Sequence, residues 1–319
     1  MADESNESAV ERYKRRRAER LAGPPQYVEP VPAIGDDTMW RGLTRAGEVR
    51  VLAARTTQTV REIAQRLGAS RDATRLLGEL VTAGLLVRST LNPYAQLQML
   101  LRNPGSAGRL IVDVWSGDAG VRAAIARPGV VEAVDGPAIR DGLLEVARVA
   151  RDGSPYHSRL HYAAGGIGAA VTEYLMRSEQ IVAVVNVETT FEGNRLTAAV
   201  GYLVQLMPEG SRADLERLLA SVERGAPLRE GMTAEDPDAR AWTAELLDGF
   251  LWDQVARERP AFACRCSRER LIAALSSLPR ADLEELVSSG EPTTTTCEYC
   301  NATYALSVPE LQLLLTPPQ

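Results

Sequence analysis

The spacing of apolar residues changes several times along this 319-residue chain, and each change predicts a different element. Before about residue 36 there is no regular apolar stripe. The run "YKRRRAER" is charged, and "LAGPPQYVEPVPAIGDD" adds four prolines among turn residues, so residues 1–35 are predicted to be a disordered, solvated leader. From Trp40 the pattern tightens. "GEVRVLAART" reads as a strand. "TQTVREIAQRL" and "DATRLLGELVTAGLLV" carry helical spacing, with Leu77, Leu80 and Leu85 near one stripe and "GAS" between the two helices. "YAQLQMLLRN" and "GRLIVDVWS" form a strand pair around "PGSAG". "LLEVARVARDGSPYHSRLHY" holds two more strands, with Gly153 and Pro155 in the turn. "GGIGAAVTEYLMRSEQ" reads as a helix entered through glycines. "IVAVVNVETTFEGNRLTAAVGYLVQLMP" is a further strand pair, turning at Gly193 and Asn194. "SRADLERLLASVERG" is a helix with Ser211 as N-cap and Gly225 as stop. Helices and strands mix without regular βαβ alternation, which predicts an α+β domain over residues 36–227 rather than a doubly wound sheet.

The pattern loosens again over residues 228–260. This stretch is charged and rich in turn residues, yet it contains Trp242, Leu246, Leu247, Phe250 and Leu251. So many large apolar residues predict a helical, metastable linker that docks on a neighbour and is released when that neighbour changes state. A small module follows over residues 261–319. "SRERLIAALSSL" and "PRADLEELVSSG" read as helices, with Ser267 as an N-cap and Gly290 as a stop. "EPTTTTCEYC" is a β-prone run into a turn. Ser307 with Glu310, and Pro309 in the first turn, mark a capped final helix.

The chain has four cysteines, all in this module: Cys264 and Cys266 as C-x-C, Cys297 and Cys300 as C-x-x-C. They admit two disulfides, one metal site, or both in turn. On an extended segment Cys264 and Cys266 point to the same side, with Arg265 pointing away. Four soft thiolates suit Zn²⁺ in tetrahedral geometry, and an iron centre uses the same donors. A module this small has little core of its own, so metal binding, worth about 10–16 kcal/mol in small zinc modules, carries much of its folding. An oxidant that consumes the thiolates therefore removes ligands and fold together.

Composition narrows the field. The chain is 45% hydrophobic and 24% charged, ordinary material for a globular protein with a sizeable core. A net charge of −6 and a pI near 5.3 argue against a broad nucleic-acid surface. No apolar run is long enough to span a membrane, and the polar N-terminus lacks the apolar core of a secretory signal. A cytoplasmic protein is expected, and in a reducing compartment clustered cysteines favour metal or redox chemistry.

Two other readings compete. "VREIAQRLGASRDATRLLGELVTAGLLV" in isolation reads as a winged helix-turn-helix, with Arg71 and Arg75 on the second helix. Leu76, Leu77 and Leu80 on that helix predict packing instead. A zinc-containing winged-helix DNA-binding regulator is the alternative function. His157 and His161 are the only histidines, but they fall in a strand pattern, and no H-E-x-x-H, Walker or G-x-S-x-G motif occurs. Ser178 beside Glu179 has no base-orienting partner. An enzyme is not expected.

The whole pattern resembles the heat shock protein 33 family of redox-regulated chaperones. C-x-C, about thirty residues, then C-x-x-C near the C-terminus carries the likeness. "RGLTRAGEVRVLAARTT", "LLGELVTAGLLV" and the signature Tyr174, Ser178, Glu179 and Gln180 in "YLMRSEQ" extend it across residues 36–319. The resemblance implies one zinc ion per chain, held by Cys264, Cys266, Cys297 and Cys300 in the reduced state. It implies that oxidation pairs Cys264 with Cys266 and Cys297 with Cys300, that zinc leaves, and that the module unfolds. The linker then loses support, and apolar surface including Trp242, Leu246, Leu247, Phe250 and Leu251 is exposed to hold unfolding client proteins without ATP. The active form is expected to be a homodimer. No membrane or nucleic-acid partner is implied.

Overall fold

The computed structural model describes residues 37–91, 95–102, 107–115, 119–129, 142–149, 154–162, 165–224, 244 and 246–315. The predicted leader lies outside the described residues. The chain divides into two units, Met1–Phe262 and Ala263–Gln319.

The first unit is built from β1 (Thr38–Thr44), β2 (Val49–Arg55), α1 (Thr57–Leu67), α2 (Arg71–Arg88), β3 (Gln96–Arg102), β4 (Arg109–Val114), β5 (Gly120–Ile125), β6 (Gly142–Val149), β7 (Pro155–Tyr162), α3 (Gly166–Arg177), β8 (Ala183–Glu192), β9 (Arg195–Leu206), α4 (Arg212–Arg224), β10 (Trp252–Glu258) and β11 (Ala261–Phe262). One sheet runs β10-β1-β2-β9-β8 and is antiparallel throughout. A second runs β11-β5-β4-β3-β6-β7, with β11 its one parallel member among the described strands. The α+β class holds.

Helix α2 lies between the two sheets. Leu76, Leu77, Leu80, Val81, Leu85 and Leu86 on it are all buried in one continuous core, together with Leu52 and Leu203 of the first sheet and Leu97, Met99 and Val112 of the second. Two glycines let the sheets approach. A Cβ on Gly78 would lie 2.8 Å from Thr189 Oγ1 in β8, and one on Gly84 would lie 3.0 Å from Val112 Cγ1 in β4. Ser70 caps the helix, its Oγ accepting from the Ala73 N–H. This packing gives the DNA-binding alternative no support. The supposed recognition helix is buried along most of its length, Arg75 pairs with Glu79 at 3.4 Å, and Arg71 stacks over Phe191 at 5.1 Å, so the helix serves the core rather than presenting a free face to a major groove.

Helix α1 is held from outside. Its N-cap residue, Thr56, makes no side-chain cap bond; instead the Asp37 carboxylate accepts from the Gln58 and Thr59 N–H groups at 2.9 and 2.6 Å. Those are orphan donors of the first turn, and the negative charge suits the positive end of the helix dipole.

The first sheet is buried on both faces, as strand alternation allows. Leu52, Ala54, Ala199 and Leu203 face α1 and α2. Val49, Val51, Ala198, Val200, Tyr202 and Val204 form a second cluster with Leu218 of α4 and with Leu246 and Leu247. The expected linker therefore divides. Its last part is not helical: residues 252–258 are β10, an edge strand on β1 with a bulge between Arg41 and Gly42. Most of its first part lies outside the described residues.

The second unit has α5 (Arg268–Ser276), α6 (Arg280–Ser288), β12 (Thr293–Thr296), β13 (Thr303–Leu306) and α7 (Val308–Leu314). Strands β12 and β13 pair antiparallel. Ser267 caps α5, Gly290 leaves α6 with φ 71°, and Glu310 accepts from both the N–H and the hydroxyl of Ser307. The core is four buried leucines, Leu275, Leu283, Leu306 and Leu311. Among the described residues no helix is long and apolar enough to cross a membrane.

In an exposed helix Gly→Ala gains about 1 kcal/mol. Gly78→Ala is expected to reverse that sign and cost about 1–3 kcal/mol, because Thr189 is β-branched, stiff, and bonded through Oγ1 to the Arg75 carbonyl at 3.2 Å. Urea unfolding measures this, and an unchanged or raised midpoint would contradict the close packing.

Candidate metal centre

The two cysteine motifs are shaped by different local devices. Cys264 and Cys266 lie on the segment that leads into α5, directly before its cap at Ser267. Cys297 and Cys300 follow β12 in a tight turn. The Cys297 N–H donates to the Ala302 carbonyl at 2.9 Å, the Asn301 N–H donates back to the Cys297 carbonyl at 2.9 Å, and Asn301 takes φ 60° to close the turn. Asparagine tolerates that left-handed conformation better than most residues.

The four sulfurs converge. All lie within 4.8 Å of one another; Cys264 and Cys297 are 3.7 Å apart and Cys266 and Cys300 are 3.3 Å apart. Tetrahedral thiolate ligation with bonds of about 2.3 Å places sulfurs about 3.8 Å apart, so the cluster fits a metal ion of that kind. The cysteines are free thiols and half-buried. Burial raises the Cys300 thiol above its ordinary range, opposed by a backbone hydrogen bond from Ala302 and reinforced by hydrogen bonding of the Cys300 thiol to the other three sulfurs. A bound divalent cation reverses that balance by making four neighbouring thiolates favourable. The Tyr304 hydroxyl lies 3.1 Å from Cys266 Sγ. Sequence reasoning passed over it, although its place two residues before the buried Leu306 puts both on one face of β13.

Residues of the expected signature form a buried latch in the first unit. Tyr174 on α3 donates its hydroxyl to Glu179 Oε1 at 2.6 Å, and the Glu179 carboxylate pairs with Arg148 of β6 at 3.1 Å. Arg148 in turn stacks over Tyr156 of β7 at 4.3 Å. Burial and then the Glu179 bond push the Tyr174 phenol far above its usual value, so it remains a donor. Ser178 ends α3, and Gln180 turns the chain at φ 57°. The latch ties α3 to the second sheet. His157 and His161 stand exposed on one face of β7, about 13 Å apart by strand geometry, too far to share a metal.

The apolar residues of the expected linker fall in different places. Leu246 and Leu247 are buried on the outer face of the first sheet, and Phe250 packs beside them with Arg217 over its ring at 4.9 Å. Leu251 is 76% exposed, so it is not part of the hidden surface. Its carbonyl accepts from the Arg45 N–H at 2.8 Å, which leaves the inward position to Trp252. Trp242 lies outside the described residues.

A cleft of about 1040 Å³ between α2, α3 and β8 had no signal in the sequence, because its walls come from three distant segments. Glu79 lines it beside Arg75. Burial pushes the Glu79 carboxyl up to about 7, with Arg75 opposing and Glu188 adding to the rise. A carboxyl raised in the folded state favours folding while protonated. Its contribution is full below about pH 4.5 and is lost as pH rises through about 7. Glu79→Gln is therefore expected to flatten the fall in stability between those values. Denaturant titrations across this range check it, and parallel pH profiles for both proteins would refute it.

With this geometry established, comparison with known proteins is direct. A family model described as Hsp33 protein matches residues 37–307. A 33 kDa chaperonin from Synechococcus sp. (strain JA-2-3B'a(2-13)) is 30% identical over 93% of this chain and 96% of its own. One from Synechocystis sp. (strain ATCC 27184 / PCC 6803 / Kazusa) is 32% identical over 84% of this chain and 92% of its own. The crystal structure of the Thermotoga maritima 33 kDa chaperonin superposes with a TM-score of 0.77 at 22% identity, covering 88% of this chain and 98% of that one, which shows a shared fold. Matched in sequence across nearly all of the described residues, this chain belongs to the Hsp33 (33 kDa chaperonin) family.

Proposed function

We propose that the protein is a redox-regulated, ATP-independent holdase whose four cysteines bind one zinc ion per chain while reduced. One observation carries the reading: four sulfurs from two short motifs converge within 4.8 Å in a unit whose apolar core is four buried leucines. A unit with so little apolar burial depends on its metal for folding. Family membership supplies the chaperone part, since its curated relatives are named 33 kDa chaperonins.

Reduced, Cys264, Cys266, Cys297 and Cys300 hold the ion as thiolates. Oxidised, Cys264 pairs with Cys266 and Cys297 with Cys300, the pairing that the family resemblance supports. The ligands are then gone and the unit unfolds. Residues 246–258 run directly into that unit along the chain, so their hold on the first sheet is the next to loosen. The surface released includes Leu246, Leu247 and the strand residues beneath them, and that apolar face holds unfolding client proteins. The same resemblance supports a homodimer as the active form.

The test is zinc content and client aggregation, measured on the reduced protein and again after peroxide. Reduced protein is expected to carry one zinc per chain and to leave aggregation of a thermally unfolding client unchanged. Oxidised protein is expected to release the zinc and suppress aggregation without ATP. Limited proteolysis is expected to cut near residues 246–258 after oxidation only. An oxidised protein that loses zinc yet never suppresses aggregation would sink the chaperone reading.

A further inference from the structure

Tyr304 brings a side chain to the sulfur cluster without being a ligand. Its hydroxyl lies 3.1 Å from Cys266 Sγ, within hydrogen-bond reach of the sulfur. The placement is built rather than incidental. Tyr304 sits on β13 in register with Thr295 of β12, and it shares a strand face with Leu306, which is fully buried in the unit's small core. Its neighbours Thr303 and Ala305 are exposed on the other face. Leu306 thus fixes the strand, and the strand aims the phenol at Cys266.

A metal-bound thiolate has no proton to give, so in the loaded centre Tyr304 is the donor. A hydrogen bond to an anionic sulfur withdraws electron density from it. That steadies the ligand set and makes the sulfur a poorer nucleophile. We propose that Tyr304 is a positioning residue that holds Cys266 and sets how readily the centre is oxidised. This rests on the zinc and redox reading given above.

The step it governs is attack on a peroxide. One thiolate attacks a peroxide oxygen, the O–O bond breaks, and a sulfenic acid and a hydroxide form. A second thiolate displaces hydroxide from that sulfur and closes the disulfide. Two thiolates lose two electrons, and the peroxide ends as two hydroxide ions. With Cys266 as the first attacker, damping it slows the step that starts the sequence.

The experiment is Tyr304→Phe, which keeps the ring and removes only the hydroxyl. Zinc release from the full-length, zinc-loaded chain is followed with a chromogenic chelator, with and without hydrogen peroxide. Loss of the bond is expected to speed peroxide-driven release about three- to tenfold relative to the parent, while peroxide-free release to the chelator changes much less. Equal peroxide rates overturn the proposal. So does a variant whose two rates rise by the same factor, because that reports a loosened fold rather than a more reactive sulfur. Far-ultraviolet circular dichroism of the loaded variant confirms that it folds. A parent protein that holds zinc but never suppresses aggregation refutes the chaperone reading and leaves this comparison intact.

Discussion

Four sulfurs within 4.8 Å of one another close the C-terminal unit beside a core of only four buried leucines. Helices α5 and α6 each bury a single leucine completely enough to count as core, and both strands of the β12–β13 pair are four residues long. Such pieces are marginal alone. What joins them is that the C-x-C segment precedes α5 while the C-x-x-C turn follows β12, so the ligand cluster spans both helices in sequence. The leucines of α5, α6, β13 and α7 meet in one cluster beside it. The local devices at Ser267, Gly290, Asn301 and Ser307 set where elements begin and end, but they do not bring them together.

The first unit solves a different problem. Its first sheet is apolar on both faces, and such a sheet needs cover on both. One cover, α1 and α2 with the second sheet beyond, is a single large core built on Gly78 and Gly84. The other is α4 with Leu246, Leu247 and the partly buried Phe250 and Trp252. The two covers differ in kind. Helix α2 is buried along most of its length and can leave only by global unfolding, whereas the 246–252 segment contributes two fully buried leucines. A cover with less burial opens at lower free energy. The two covers of the sheet thus differ in how much apolar surface holds them.

Most of this architecture was legible in the sequence, and the exceptions share a cause. Helices α1 to α4, the β3–β4, β6–β7 and β8–β9 pairs, and the caps at Ser211, Ser267 and Ser307 follow from periodicity and capping chemistry. Strand β1, "TMWRGLT", escaped because it is buried on both faces and broken by Gly42 at a bulge, so it never alternates. Strand β5, "GVRAAI", has glycine and two alanines where β-branched residues would signal a strand. Strand β10, "WDQVARE", reads as linker because four of its seven residues are charged or amide. Its structure comes from β1, a partner more than two hundred residues away. The four cysteines were legible because C-x-C and C-x-x-C are local patterns. Tyr304 and the cleft at Glu79 were not, since their meaning lies in distant neighbours.

The pairing of β1 with β10 also orders events during synthesis. Met39 sits opposite Glu258, so the strand that seals the first edge of the sheet leaves the ribosome more than two hundred residues after the edge itself. At ordinary elongation rates that interval is roughly ten to forty seconds. Throughout it the nascent chain presents an unpaired edge strand, a template for any extended segment nearby. A protein read as a guard against the aggregation of others is therefore exposed to the same hazard at its own birth, until the last part of its first unit has been made.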